Sequence, residues 1–333
     1  MSKPGEFDLI RRISKKFKQP ALPELGIGDD AAIISPKAGE QLLVSTDLLL
    51  EDVHFRLDYT SPHLLGRKAL SVNLSDIAAM GAKPRYFFLS LAIPPKLSTA
   101  FVDELLNGIA EQAEQHSCIL AGGDTCSSQN GLMISITILG MQQPERILKR
   151  NTAQVGDEIW VSGTLGDSAA GLYLLENGIR AGDQFLLSRH LDPQPRCQLA
   201  LMLAEATSAE TGENIISSMI DISDGLLADL GHICEQSATG AEIHLNSIPL
   251  SSHFCTFADQ QQAYPWQMAA CGGEDYELCF TAAPKHRDVI MQTGKKAGVL
   301  LTVVGKLTNS GLVQAFLPDG SIFEPHKPGF SHF

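Results

Sequence analysis

The chain has 333 residues, 44% of them apolar and 19% charged, which is enough for a buried core and for about two domains. A formal net charge of −13 argues against nucleic acid or anionic membrane as partner, and no run of about 18 apolar residues is present to span a bilayer. The opening stretch MSKPGEFDLIRRISKKF has no apolar signal-peptide region, and the seven scattered cysteines form no C-x-x-C pair or zinc spacing, so a cytoplasmic location with reduced thiols is expected.

In chain order, residues 31–34 (AAII) and 41–45 (QLLVS) read as short strands around a Pro-Lys-Ala-Gly turn. A long helix is predicted over 61–80, with Ser61 as cap, Pro62 at its first position and Gly81 as its stop. PRYFFLSLAIPP reads as a strand. Ser98 then opens a second helix, with Val102, Leu105, Leu106, Ile109 and Ala113 on one face. CILAGG reads as a strand running into a glycine turn, and LMISITILG as a sheet strand with Ile134, Ile136 and Ile138 on one side. The polar stretch KRNTAQVGD is the candidate boundary between an N-terminal domain, 1–149, and a C-terminal domain, 150–333. Beyond it come strand EIWVSG, helices near 167–177 and 194–206, strand SSMID, and a helix after Asp224 carrying Leu226, Leu227, Leu230 and Ile233. The remainder reads strand (YELCFTA), helix (HRDVIMQTGKKAG), strand (VLLTVVGKL) and hairpin (LVQAFLP-DG-SIF), a mixed α+β pattern rather than strict βαβ winding.

GIGDDA at 26–31 matches a dinucleotide-binding glycine pattern, but no strand precedes it and a strand rather than a helix follows, so a Rossmann reading fails. No P-loop, H-E-x-x-H or G-x-S-x-G is present. What remains is a set of aspartates at strand ends and glycine turns: Asp29 and Asp30 after Gly28, Asp47 beside Thr46 at the end of LLVS, Asp124 after two glycines, and Asp221 and Asp224 after an apolar strand. Asp76 lies on the long helix between apolar neighbours. Magnesium takes such oxygen ligands, and divalent cations would screen an acidic chain from a phosphate ester. Each aspartate also has a plainer reading as a turn residue or helix cap. Arg150 is a candidate bidentate phosphate clamp or a solvated surface arginine, and His54 sits between apolar residues, where a structural role is the commoner one.

In order, GIGDDAA (26–32), STDLLLEDVHF (45–55), NLSDIAAMGAKP (73–84), AGGDT (121–125), DISDGL (221–226) and GGEDYEL (272–278) resemble the thiamine-monophosphate kinase family of the AIR-synthetase-like (PurM-like) superfamily, over nearly the whole chain. The resemblance implies a two-domain PurM-like fold, an N-terminal sheet with helices on one face plus a C-terminal α/β domain, and a homodimer formed through the N-terminal sheets. It implies ATP-dependent conversion of thiamine monophosphate to thiamine diphosphate with several magnesium ions. By matched position, Asp30, Ser45, Thr46, Asp47, Asp76, Asp124, Asp221 and Asp224 are the implied magnesium ligands. Gly123, Asp124, Arg150 and Ser223 are the implied ATP surroundings, and His54, Glu274 and Phe330 the implied substrate contacts. The chain departs from the family at Asp52, where glycine is usual, and near Leu106, where an aromatic is usual.

No catalytic base or covalent nucleophile is expected. The acceptor phosphate, with a second pKa of about 6, is already mostly dianionic at neutral pH, so an in-line transfer needs charge neutralisation and alignment. The alternatives are another PurM-like ATP-dependent enzyme, a multi-metal phosphohydrolase using the same aspartates on water, or a nucleotide sensor without turnover.

Overall fold

The structure, a computed structural model, describes residues 6–18, 24–27, 30–208, 212–261 and 265–330. Gly28 and Asp29 lie outside the described residues. By its contacts the chain divides into two units, Met1–Ile77 with Ala82–Pro144, and Ala78–Gly81 with Glu145–Phe333.

The first unit runs α1 (Glu6–Lys16), β1 (Gln41–Leu50), α2 (Pro62–Ala79), β2 (Lys83–Ile93), α3 (Thr99–Gln115), β3 (Ile119–Ser127) and β4 (Met133–Gln142). Its sheet has the order β1-β4-β2-β3, with β2 and β3 parallel and the other pairs antiparallel. Period-two alternation gives this sheet two different faces. Ile134, Ile136, Ile138, Phe87, Leu89 and Leu91 form a buried face, against which Ile77 of α2 meets Gly140 and Phe17 meets Phe87 edge-on. On the other face Leu42, Val44 and Leu48 of β1 and Met133 of β4 stay exposed. Helix α2 is buried nearly all round: Leu65, Ala69, Leu70, Leu74 and Ala78 have no exposed surface. Gln112 of α3 donates to Ser71 Oγ of α2 at 2.8 Å, and α3 is capped as its sequence foretells, Ser98 Oγ accepting from the Phe101 N–H at 3.1 Å.

The second unit runs β5 (Glu158–Ser162), α4 (Asp167–Glu176), α5 (Gln184–Leu191), α6 (Cys197–Glu205), β6 (Ile216–Asp221), α7 (Leu226–Gln236), β7 (Gly240–His244), α8 (Ser252–Gln261), α9 (Pro265–Cys271), β8 (Leu278–Ala282), α10 (Arg287–Ala297), β9 (Leu301–Thr308) and β10 (Val313–Phe316). Its six-stranded sheet has the order β10-β7-β9-β5-β8-β6, antiparallel except for β10 with β7. The central strands β5 and β8 are buried throughout, and Trp160 stacks on Phe280 across them.

The mixed α/β class expected from the sequence is the one found. Several local expectations need correction. AAII forms no strand. Among the described residues its ladder contact is an isolated bridge between Ile33 and Leu25. Thr46 and Asp47 lie inside a ten-residue β1 rather than at its end, since β4 pairs with it along its whole length. Gly122 and Gly123 do not turn the chain; β3 continues through them, and Gly123 (φ +152°) lies so close to Leu89 of β2 that a Cβ would strike its backbone. The final hairpin reduces to β10 and a single bridge, Phe316 to Ile322. Helices α5, α8 and α9 were not foreseen as separate elements.

Candidate active site

In the first unit the sheet and α2 bring three of the expected residues together. Ser45 Oγ donates to Asp76 Oδ2 at 2.5 Å. Asp47, one pleat further along β1 on the same face, has its pKa pushed up to about 7 by burial and then by the Asp76 charge. Two carboxylates and a hydroxyl crowded against a helix fit a hard divalent cation, which would relieve the repulsion and leave room for water or phosphate oxygens. Among the described residues, no three His, Cys, Asp or Glu side chains gather closely enough to enclose a metal by themselves.

The other expected ligands in this unit stand apart. Thr46 points to the opposite, exposed face, its hydroxyl 2.9 Å from Thr137 Oγ1. Asp124 is in register with Ser90, Ser135 and Leu48, which also places it on the exposed face. β1 and β3 are opposite edges of the sheet, three strand spacings or about 14 Å apart. Asp30 is exposed outside the sheet. His54 follows β1 in a turn where its Nδ1 accepts the Leu50 N–H at 3.0 Å, so the ring proton sits on Nε2. Asp52 in that turn has φ +66°, a left-handed conformation that glycine adopts freely and aspartate tolerates better than most residues. That backbone would suit the glycine the resemblance implies, and aspartate adopts it here.

In the second unit the end of β6 and the loop before β8 build a second cluster. Asp221 closes β6, and the chain beyond it pairs with the 272–277 loop: the Glu274 N–H donates to Ser223 O at 2.7 Å, and the Tyr276 N–H to Ile222 O at 2.9 Å. Glycine is required where these segments touch: Gly225 has φ +123°, and a Cβ there would meet the Cys271 backbone. The C-terminal segment reaches the same place, its Phe330 N–H donating to Asp224 O at 3.0 Å with the ring half exposed. Ser223, Asp224, Glu274 and Phe330 are thus assembled around one loop. Arg150 is not among them: its carbonyl accepts from Ser237 Oγ beyond the C-terminal end of α7, whereas Ser223 and Asp224 precede the N-terminal end, about 16 Å away along eleven helical residues.

Several buried charges that the sequence reading left without a role hold this loop. Asp229 Oδ2 accepts the N–H groups of Ser223, Asp224 and Gly225 at 3.0, 3.0 and 3.1 Å; burial and then the Asp224 charge push its pKa up to about 7. Asp275 accepts the Gly166 N–H at 2.8 Å and the Ser168 N–H at 3.2 Å, with its pKa also pushed up to about 7 by burial. Glu277, fully buried, accepts from Arg189 at 2.9 Å, from Arg196 Nε at 2.6 Å and from Ser162 Oγ at 2.5 Å; although burial opposes it, the two guanidinium groups hold its pKa below the ordinary value. The visible signal was the alternation of acids in GGEDYEL, which puts Asp275 and Glu277 inward, but their arginine partners lie some 80 residues away and have no local signature.

Family models place the class. Residues 28–142 match the AIR synthase related protein N-terminal domain, and residues 154–317 the corresponding C-terminal domain. The chain is 40% identical to the thiamine-monophosphate kinase of Haemophilus influenzae, over 99% of this chain and 98% of the relative. Among solved structures it resembles the thiamine-monophosphate kinase of Stenotrophomonas maltophilia, at 37% identity and TM-score 0.81 over 95% of this chain and 96% of the other. It also resembles AaThiL complexed with AMPPCP and TMP, at 33% identity and TM-score 0.76 over 99% of this chain and 97% of the other. The chain belongs to the thiamine-monophosphate kinase family.

Proposed function

We propose that this chain transfers the γ-phosphoryl group of ATP to thiamine monophosphate, giving thiamine diphosphate and ADP, in the cytoplasm and as a homodimer. The observation that carries this is similarity along the entire chain, at 34–40% identity, to thiamine-monophosphate kinases. The loop that gathers Ser223, Asp224, Glu274 and Phe330 supports it. Asp47, Asp76 and Ser45 would hold magnesium; Thr46 and Asp124 on the sheet's other face, Asp30 outside it, and Asp221 and Asp224 in the second unit are proposed as ligands of further ions. Bound there, the ions would neutralise the phosphates of both substrates and align them. Gly123, Asp124, Arg150 and Ser223 take the ATP, and His54, Glu274 and Phe330 take thiamine monophosphate. A dianionic acceptor needs no general base, so the chain supplies binding, orientation and charge compensation to a direct in-line transfer without a phosphoenzyme.

The homodimer uses the open face of the first unit's sheet, where Val44 is 60% exposed and Leu42, Leu48 and Met133 are exposed beside it. An apolar row of this kind on an edge strand favours cover by a second copy. Among the described residues no helix is long and apolar enough to cross a membrane.

Incubation with Mg–ATP and thiamine monophosphate tests the activity. Thiamine diphosphate and ADP should form one for one, and release of inorganic phosphate instead would reveal a hydrolase. Asp47→Asn is expected to abolish turnover while leaving thermal unfolding intact. Full activity in that variant would remove Asp47 from the phosphate site, and a labelled, turnover-competent phosphoprotein would exclude direct transfer.

A further inference from the structure

His190 lies near the end of α5, with only 2% of its side chain exposed. Its Nδ1 is 3.1 Å from Glu274 Oε2 and 3.2 Å from Ser168 Oγ. Glu274 itself stands in a left-handed conformation, φ +65°, and 28% of its side chain remains exposed. We infer that His190 is a positioning residue for substrate binding, donating its Nδ1–H to the Glu274 carboxylate and holding it, charged and in one orientation, toward thiamine monophosphate. This role rests on the proposed kinase activity and on Glu274 as a substrate contact.

Four observations carry it. First, the imidazole is fixed from behind: α5 packs so closely on α4 at Gly171 that a Cβ there would meet the Leu186 carbonyl and the His190 Cβ. Second, the neighbouring Arg189 donates to the Asp275 carbonyl at 3.3 Å and to Glu277 at 2.9 Å, so consecutive residues of α5 grip consecutive parts of the loop that carries Glu274. Third, Ser168, the other neighbour of His190 Nδ1, is tied to the same loop through its N–H bond to Asp275. Fourth, Nδ1 carries a single hydrogen, and of the two oxygens beside it the Glu274 carboxylate, at 3.1 Å, is the nearer and the stronger acceptor. Ser168, at 3.2 Å, would by itself satisfy a buried imidazole, so directing the proton to a partly exposed glutamate does something packing does not require. A free glutamate side chain loses about 1.5–2 kcal/mol of rotamer entropy when it is immobilised, and holding it beforehand moves that loss out of the binding step. A carboxylate with its charge intact also suits thiamine monophosphate, whose thiazolium is a permanent cation and whose pyrimidine carries an amino donor.

Steady-state kinetics with each substrate varied separately tests the assignment. His190→Leu is expected to raise KM for thiamine monophosphate about tenfold, the worth of one hydrogen bond to a charged group. KM for ATP and kcat should stay within about threefold, and His190→Gln, which keeps a donor, should recover most of the loss. In a Glu274→Gln background the His190 substitution should add little, because the two act as one unit. Equal losses in kcat and both KM values, or a His190→Leu effect that persists undiminished without Glu274, would overturn the proposal. An arm without turnover keeps it testable if His190→Leu does not fold or the unaltered chain proves not to be a kinase. The imidazole 15N resonances of His190 should shift on Glu274→Gln, and unchanged resonances would refute the contact. Absence of turnover in the unaltered chain would strike the proposed function alone.

Discussion

At the scale of single residues, Glu277 concentrates the electrostatics of the second unit. It has no exposed surface, and Arg189, Arg196 and Ser162 all donate to it. Its pKa is lower in the folded protein than in the unfolded chain, so it contributes stability that is present above its unfolded pKa and lost as pH falls through the folded value. Glu277→Gln should therefore cost about 3–5 kcal/mol at pH 7, where two guanidinium groups lose a buried countercharge. The variant should also show a shallower fall in stability on the acid side than the unaltered chain. Thermal unfolding followed from pH 7 down to the acid limb checks both; equal slopes would mean that other carboxylates govern the acid response. Asp52 makes the opposite point. It stands in a left-handed backbone, which aspartate reaches at modest cost and glycine freely.

At the scale of elements, the crossing of α2 and α3 sets how closely the helices of the first unit pack. A Cβ on Gly66 would meet the Leu105 carbonyl, and one on Gly108 the His63 carbonyl, so each helix presents a glycine to the other's backbone. Gly108→Ala has no flexible side chain to displace and must push the helices apart, at an expected cost of about 1–3 kcal/mol. Calorimetry should show the loss in Tm, with Gly231→Ala as the control, since a Cβ at Gly231 meets nothing within 4 Å. Helix propensity favours alanine, so an equal rise in Tm at both positions would mean that propensity rather than the crossing decides, and an equal loss would remove the crossing as the cause. The long helices α2 and α3 were legible in the sequence because capping residues and 3.6-residue periodicity mark them locally. The short helices α5, α8 and α9 were not: over 7–10 residues a pattern is ambiguous, and burial against neighbours distant in sequence stabilises them. α5 is the costly omission, because it supplies Arg189 and His190.

At the scale of the whole molecule, the open face of the first sheet is the feature with most consequence. Val44, Leu42 and Leu48 alternate outward along an edge strand while β4 continues the same face inward with Leu139 and Met141 buried. Val44→Glu places a charge in the middle of that row and, for the proposed homodimer, is expected to shift sedimentation from dimer to monomer without loss of the monomer's fold. Unchanged sedimentation would overturn the proposal that this face carries the dimer contact.

What the sequence determined by itself was the mixed α/β class, the main helices and the family, and it offered a set of candidate aspartates. All of these depend on local periodicity or on matched runs of residues. Tertiary structure decided which of those residues meet. It joined Ser45, Asp47 and Asp76 because α2 lies across the buried face of β1, and it set Thr46 and Asp124 on the other face because strand side chains alternate. It brought Ser223, Asp224, Glu274 and Phe330 to one loop and left Arg150 at the far end of α7. It also exposed a layer of buried charges, Asp229, Asp275, Glu277, Arg189, Arg196 and His190, that supports the site. That layer was illegible for one physical reason: an ion pair between residues tens of positions apart leaves no trace in the spacing of either, and only the packed fold brings them together.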